Sequence, residues 1–362
     1  MKRERWSFDR LQSLARTELL LLLKFNPSDR PWQMPFAAAL ASGLPLLIGA
    51  GFDRLGYGLV SSLGGLVFLH VPNTALHHRM AVAMVSAFAM SACYALGLMS
   101  HFLPPLSMLA LTFIAMLVTM LCRFYRMGPP GSMFFVMAAS IGAFSPVDLM
   151  DVPTMVGLVA MGGLLACLIA FFYSLYALRL HPAQAVPPPP ELSFDFVVFD
   201  SVLIGVFVGL SLLLAQVLQL ERAYWAPVSC LAVIQGVSLR AVWNRQIHRI
   251  VGTIFGLLVA WGLLALPLEK WTIAVAMMLL SFIIEVLVVR HYGLAVIFIT
   301  PLTILLADAA ALGQGSPGAI VHARLIDTVL GAVVGLIGGI CLHSPRFREI
   351  VGRPLRRLVT PR

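Results

Sequence analysis

Residues 249–256 read Arg-Ile-Val-Gly-Thr-Ile-Phe-Gly, and residues 324–331 read Arg-Leu-Ile-Asp-Thr-Val-Leu-Gly. Both stretches follow the pattern Arg-x-x-[Gly/Asp]-Thr-x-x-Gly, and both begin a long apolar run. In an α-helix the marked positions i, i+3, i+4 and i+7 lie on one face. The pattern therefore predicts two helices, each with a narrow stripe of small and polar residues on an otherwise apolar surface. We call it the Arg-Thr-Gly motif, with a first and a second copy.

The composition of the chain indicates that its surroundings are lipid. The 362 residues are 60% hydrophobic and 11% charged, whereas about 25% of the residues in soluble domains are charged. Apolar runs of about 17–25 residues recur, which predicts an all-α polytopic membrane protein. The net charge of +9 is better explained by basic cytoplasmic loops than by nucleic-acid binding, since no aromatic interleaving accompanies the basic residues.

The apolar runs define about twelve predicted transmembrane helices. With a cytoplasmic N-terminus, every Lys and Arg falls on the cytoplasmic side except Arg54, Arg222, Lys270 and Arg324. This asymmetry supports the number of spans and predicts that both termini lie in the cytoplasm. The predicted spans are roughly 34–51, 57–71, 79–99, 104–121, 132–147, 153–178, 195–219, 224–238, 249–267, 271–289, 293–309 and 319–342.

A run of four prolines divides the predicted spans into two halves. Six spans is an even number, so both halves begin on the same side of the membrane, as parallel repeats do. Within the second half, spans 7–9 and 10–12 each end in a copy of the Arg-Thr-Gly motif, which predicts nested inverted three-helix repeats. The predicted segments are an amphipathic N-terminal segment (1–33), the first half (34–180), a Pro-rich linker (181–194), the second half (195–343) and a basic tail (344–362). The first and last of these segments favour contact with anionic lipids.

Acidic side chains inside predicted spans need an explanation, because burying a charge at mid-bilayer costs about 2.5 kcal/mol or more. We consider Asp327, Glu285 and Asp200 as proton-coupling carboxylates. Asp327 is the first choice, since it replaces the Gly found in the first copy of the motif. The alternative for Asp327 is an ion pair with Arg324 one turn earlier. The alternatives for Glu285 are snorkelling to the membrane interface and a pair with Arg290.

Spans 2 and 8 are short, are interrupted by Gly or Pro, and hold matching places in the two halves. Such matched spans point to a substrate site near the midplane. The candidate substrate contacts are Tyr224, Trp225, Arg249, Arg324 and Thr328. The alternative roles for these residues are an interfacial aromatic belt, a cytoplasmic charge anchor and a hydrogen bond back to the same helix. The glycines expected to allow close helix packing are Gly252, Gly256, Gly331 and Gly335.

Signatures of catalysis and of cofactor binding are absent from the sequence. It contains no HExxH, Walker A or GxSxG pattern, and its five cysteines show no CxxC spacing. The sequence therefore predicts no catalytic residue, no metal site and no cofactor, and a protein that is not an enzyme.

The stretch 224–229, Tyr-Trp-Ala-Pro-Val-Ser, together with both copies of the motif resembles the fusaric acid resistance (FUSC) family. The resemblance is good over about 195–343 and faint over 34–178. It implies an inner-membrane transporter that exports aromatic or other organic acids, often alongside a periplasmic adaptor of the membrane fusion type. Longer members of the family carry a large soluble domain, where this chain has only the proline linker.

Two other functions stay open at this point. The family has plant aluminium-activated malate transporters as distant kin, which makes a passive organic-anion channel the first alternative. A non-transporting membrane scaffold is the second, because the N-terminal segment and the tail are basic. The sequence leaves the oligomeric state undecided, and a homo-oligomer is compatible with it.

Overall fold

The structure is a computed structural model that describes residues 22, 24–28, 30–186, 188, 195–266, 269–308 and 317–359. Most of the predicted amphipathic segment, and most of the proline run, lie outside the described residues. The described α-helices are α1 (Gln33–Gly51), α2 (Leu55–Gly65), α3 (Leu76–His101), α4 (Ser107–Phe124), α5 (Met133–Ala143), α6 (Val152–Leu180), α7 (Asp200–Val217), α8 (Trp225–Ile234), α9 (Leu239–Leu264), α10 (Lys270–Leu287), α11 (Tyr292–Asp308), α12 (Pro317–His343) and α13 (Pro345–Val359).

Within the described residues, eight helical segments are long and apolar enough to cross a membrane: Gln33–Gly51, Leu76–His101, Pro104–Phe124, Leu149–Leu180, Asp195–Val217, Leu239–Leu264, Lys270–Leu287 and Val321–His343. An all-α polytopic membrane protein is therefore confirmed. A shorter apolar helix lies at each of the four other predicted positions, and that these also cross the membrane stays a prediction. The shorter ones are Leu55–His70, Met133–Ala143, Trp225–Ile234 and Tyr292–Leu306.

Helix breakers explain why these four helices are short. The helix α2 ends at the glycine pair Gly64-Gly65 and continues as a 3-10 turn, Leu66–His70. The helix α5 follows the turn 128–131, which contains two prolines. The helix α8 ends before Gly236, and α11 contains Pro301. Short helices leave backbone groups that lipid cannot satisfy, so they need neighbouring protein around them.

The same helix pairs form in both halves of the described chain. In the first half α2 packs on α6, and α3 packs on α5. In the second half α8 packs on α12, and α9 packs on α11. The contacts between the halves are reciprocal. The first helix of the first half, α1, packs on the fourth helix of the second half, α10, and the fourth helix of the first half, α4, packs on the first helix of the second half, α7. Each short helix therefore lies against a long helix of its own half.

The second copy of the Arg-Thr-Gly motif packs on α8. A Cβ atom at Gly331 would lie 2.2 Å from the carbonyl oxygen of Ala226, and one at Gly335 would lie 2.6 Å from that of Cys230. Since both residue numbers rise together along the contact, α12 and α8 run parallel. The absence of a side chain at Gly331 is what allows the two backbones to approach this closely.

The first copy packs on α11 in the same manner. A Cβ atom at Gly252 would lie 2.8 Å from the carbonyl oxygen of Gly293, and one at Gly256 would lie 2.6 Å from that of Ile297. The helices α9 and α11 therefore also run parallel. Each copy of the motif thus uses its glycines to pack on the short helix that belongs to the other three-helix group.

The two helices that carry the motif run in opposite directions. Gly339, near the end of α12, packs against Val242, near the start of α9. At the other end, Val321 at the start of α12 packs on the cluster that contains Ala260 of α9. The two motif arginines therefore belong to antiparallel helices, and they approach the centre of this half from opposite ends.

We expect Gly331→Ala to destabilise the protein, because the backbones of α12 and α8 must move apart to accept a methyl group at this contact. The matched control is Gly262→Ala in α9, where a Cβ atom would meet nothing within 4 Å and where Ala favours the helix by about 1 kcal/mol. Thermal unfolding in detergent would show a lower Tm for Gly331→Ala and an unchanged or higher Tm for Gly262→Ala. Equal Tm values for both variants would mean that the contact is not tight.

Candidate functional site

Two buried arginines lie between the short helices of the second half. Arg249 is 4% exposed, and its Nη2 donates a hydrogen bond to Ser229 Oγ of α8 at 3.2 Å. Arg324 is 3% exposed, and its Nη2 donates to Thr303 Oγ1 of α11 at 3.0 Å. The two arginines interact electrostatically with each other. Each guanidinium is thus held by a hydroxyl group on the short helix that precedes its own helix in the chain.

An aromatic wall lies beside Arg324. Its Cζ atom lies 3.7 Å from the centroid of the Trp225 ring, within the range of a cation–π interaction. The ring of Tyr224 lies 5.1 Å from that of Trp225 and 5.8 Å from that of Phe144 in the first half. Both Trp225 and Tyr224 are buried. This wall therefore faces protein, and the Trp225 ring lies beside a positive charge.

Asp327 lies one turn after Arg324 on the same helix and is fully buried. Neither of its carboxylate oxygens has a hydrogen-bond partner within the described part of the chain, and the same holds for the Thr328 hydroxyl. Arg324 is its neighbour on the helix, yet it donates to Thr303 instead. The charges of Asp327 and Arg324 nevertheless interact.

Several donors of the two arginines also lack a partner among the described residues. These are Nε and Nη1 of Arg324 and Nε of Arg249. The amide oxygen of Gln246, one turn before Arg249, is buried without a partner as well. Each such group costs about 1–3 kcal/mol when it is left unsatisfied. A cluster of this kind opposes folding unless water or a bound ligand satisfies its groups.

The structure places the other two acidic candidates in ion pairs. Glu285 accepts a hydrogen bond from Arg30 Nη1 at 3.2 Å, and this partner replaces the Arg290 considered from the sequence. Asp200 pairs with Arg123 at 2.8 Å and also with Arg348. Asp327 thus differs from both of them, because its carboxylate forms no ion pair with another described residue.

The ion cluster of Asp200 joins three parts of the chain. Arg123 belongs to α4 of the first half, Asp200 begins α7 of the second half, and Arg348 belongs to the C-terminal helix α13. Arg123 also donates to the Phe196 carbonyl oxygen at 3.0 Å. The position of Asp200 indicates that its carboxylate holds these elements together.

We expect Asp200→Asn to lower the stability by about 3 kcal/mol, since it leaves two partly buried arginines without their countercharge. The control is Asp53→Asn, which removes an exposed carboxylate that pairs with Lys270 and is expected to change stability by less than about 1 kcal/mol. Thermal unfolding in detergent measures both variants. An unchanged Tm together with a loss of proton flux in vesicles would instead make Asp200 a coupling residue.

Sequence reasoning did not identify Thr303 or Gln246 as part of this site, and it assigned no partner to Ser229. Gln246 lies three residues before Arg249, so the motif face could have been extended backwards to include it. Thr303 follows Pro301 in a mainly apolar helix, and no motif marks it. The described residues contain no group of three His, Cys, Asp or Glu side chains placed to hold a metal ion.

Comparisons with known proteins match the half of the chain that holds this site. Residues 202–338 match the family described as "Fusaric acid resistance protein-like". A stretch of 139 residues, 37% of this chain, is 33% identical to "Uncharacterized membrane protein YvaC" of Bacillus subtilis (strain 168). The match covers 22% of that protein, so the chain spans only about a fifth of the length of this curated relative. No solved structure matches the chain. The resemblance predicted from the two motif copies is thus confirmed over residues 202–338: this part of the chain is similar to the fusaric acid resistance protein-like family.

Proposed function

We propose that this protein is a transporter that exports organic anions, aromatic carboxylates among them, across the bacterial inner membrane. The observation that carries the proposal is the pair of buried arginines, Arg249 and Arg324, which come from antiparallel helices and keep donors that have no partner among the described residues. Buried guanidinium groups are well suited to hold a carboxylate, because their donors match its two oxygens. The similarity to a fusaric acid resistance protein-like family supports the same class of function.

In the proposed complex the carboxylate of the substrate lies between the two guanidinium groups. An aromatic ring attached to it lies against Trp225 and Tyr224, where a flat apolar surface already faces Arg324. The hydroxyl of Thr328, which is buried without a partner in the described part of the chain, supplies a further hydrogen bond. A ligand of this kind would satisfy donors that have no partner among the described residues. Binding would then recover the free energy that these unsatisfied groups cost on folding.

Asp327 is proposed to couple anion binding to proton uptake. Its carboxylate and the substrate carboxylate carry like charges beside the same arginine, so they repel each other in this poorly hydrated interior. A protonated Asp327 therefore favours the bound anion, and a deprotonated Asp327 favours its release. Outward movement of the anion alone is favoured by a membrane potential that is negative inside, by about 2.3 kcal/mol per charge at 100 mV, whereas a proton that moves with the anion cancels this contribution.

We propose in addition that the second half is built from two inverted three-helix repeats. The reciprocal glycine contacts support this, since each motif helix packs in parallel on the short helix of the other group. The matching helix pairs of the first half support a parallel relation between the halves. Alternating access would then arise when one group of helices rocks against the other around the arginines.

The decisive experiment is uptake of labelled benzoate into inverted vesicles or proteoliposomes that contain the full chain. A transporter gives saturable uptake that depends on the potential or on the proton gradient. A current that is driven by voltage, does not saturate and does not depend on pH would favour the channel. The absence of uptake under every gradient would favour the scaffold, and both of these results would overturn the proposal.

The proposal also includes the partners that the resemblance implies. These are a periplasmic adaptor of the membrane fusion type and anionic lipids at the basic N-terminal segment and tail. A homo-oligomer is compatible with the exposed apolar helices. Native electrophoresis of the chain, with and without phosphatidylglycerol and a co-expressed adaptor, tests these partners, and an unchanged monomer band in all samples would exclude them.

A further inference from the structure

A cavity of about 480 Å³ lies in the first half, apart from the paired arginines of the second half. It forms where the residues before α1, the end of the Leu66–His70 turn, the start of α3 and the end of α6 meet. The positive-inside rule predicts that this end of the bundle is cytoplasmic. The volume is in the range of small-molecule sites. The lining lies outside residues 202–338, the part similar to a known family, and it contains none of the five candidate substrate contacts named from the sequence.

Arg79 supplies a buried donor at the wall of this cavity. The residue is 4% exposed, and its Nε donates to the Thr74 carbonyl oxygen at 2.7 Å. This bond holds the guanidinium in place, while Nη1 has no partner among the described residues. A buried cation that is anchored at one nitrogen and unpaired at another is suited to bind an anion.

The charge of the lining favours an anion as well. Arg30 is a second cation in the wall, and it is half-buried and bonded through Nη1 to Glu285. None of the described residues that line the cavity is acidic. An anion here would therefore meet two positive charges, and Glu285, which pairs with Arg30, does not line the cavity.

The remaining wall is aromatic and amide-bearing. The rings of Phe68 and Tyr173 meet edge to face at 5.5 Å, and Gln33 donates to the Tyr176 hydroxyl at 3.3 Å. The backbone N–H of Gln184 donates to the Asn73 carbonyl oxygen at 2.9 Å, which holds the linker across this end. Such a lining accommodates a flat ring beside the two cations.

We propose that this cavity is a second anion-binding site, at which an organic carboxylate with an aromatic ring docks from the cytoplasm. The carboxylate is held by Arg79 and Arg30, and the ring lies against Phe68 and Tyr173. The choice of an aromatic carboxylate rests on the proposed function. The cavity then gathers the anion on the predicted cytoplasmic side before it reaches Arg249 and Arg324.

The test is calorimetric titration of benzoate into the full-length protein in detergent. Wild-type protein is expected to bind at two sites, and Arg79→Gln is expected to weaken one of them by about tenfold or more, as loss of a charged hydrogen bond does. The matched control is Arg179→Gln, which removes an exposed arginine that does not line the cavity. An identical isotherm for Arg79→Gln and wild type would overturn the proposal.

A second variant keeps the test valid if Arg79→Gln fails to fold. Ala177→Trp places an indole in the cavity wall and leaves both arginines in place, so we expect it to abolish the same site. Unchanged benzoate binding by a folded Ala177→Trp protein contradicts the proposal. Binding of phosphatidylglycerol that depends on Arg79, without any binding of benzoate, would also contradict it, because the occupant would then be a lipid headgroup.

These outcomes are separable from those of the transport proposal. Arg324→Gln is expected to remove the other benzoate site and to leave the Arg79-dependent site intact. Binding that depends on Arg79 in a protein that transports nothing would leave the cavity as a site and refute the exporter. Normal transport, with no effect of Arg79→Gln on benzoate binding, would support the exporter and refute the cavity site.

Discussion

Arg324→Gln lowers the efficiency of benzoate uptake in proteoliposomes about 100-fold, if the paired arginines form the substrate site. The variant removes a positive charge and the donors Nε and Nη1, which are buried without a partner in the described structure. A hydrogen bond from a charged group to a bound carboxylate contributes about 1.5–3 kcal/mol, and 2.8 kcal/mol corresponds to about 100-fold. Initial rates at several benzoate concentrations measure the effect.

Two further variants distinguish loss of binding from loss of structure. Arg324→Lys keeps the charge but not the planar fork, so an intermediate rate is expected. Thr303→Val removes the hydroxyl that receives Arg324 Nη2 without changing any charge, and it should raise KM more than it lowers kcat. A folded Arg324→Gln protein that transports benzoate at the wild-type rate would remove this residue from the site.

Asp327→Asn is expected to make benzoate binding independent of pH. In the wild-type protein a low pH protonates Asp327 and removes its repulsion of the bound anion, so binding weakens as the pH rises. Asparagine imitates the protonated form, and it should bind about tenfold more tightly than wild type at high pH, a factor typical of coupled sites. Titrations of benzoate across a pH series measure both proteins.

The same substitution should also uncouple proton movement from transport. A pH-sensitive dye inside the vesicles is expected to report proton flux with benzoate for wild type and none for Asp327→Asn. The control is Asp53→Asn, which changes an exposed carboxylate at a position distant from Asp327 in the sequence. If Asp327→Asn keeps both the pH dependence and the proton flux, the coupling role is refuted, even where the arginines still bind the anion.

The two proposed anion sites have one physical feature in common. In each of them an arginine is anchored by one hydrogen bond and keeps at least one buried N–H without a described partner. For Arg324 the anchor is Thr303, and for Arg79 it is the Thr74 carbonyl oxygen. Anchoring removes side-chain entropy before the ligand arrives, so less is lost on binding. The helix packing around them supplies the apolar surroundings that strengthen the interaction.

Much of the second half could be predicted from local patterns. The spacing of Arg, Thr and Gly placed the motif on one helix face, and the small residues Gly331 and Gly256 indeed lie where two backbones come close. The length of the apolar runs predicted the helices α1 to α12 but not α13, which lies in the basic tail. These features can be predicted from the sequence because helical periodicity and the exclusion of polar groups from lipid act on neighbouring residues.

The sequence by itself thus determined that this is an all-α membrane protein and that its second half carries a repeated polar stripe. Only the tertiary structure decided which charges meet: Arg30 pairs with Glu285, 255 residues away, and Arg348 pairs with Asp200, 148 residues away. It also decided that Asp327 keeps a carboxylate without a described ion-pair partner. The physical reason is that periodicity is a local property of the chain, whereas an ion pair or a cavity depends on which helices pack together.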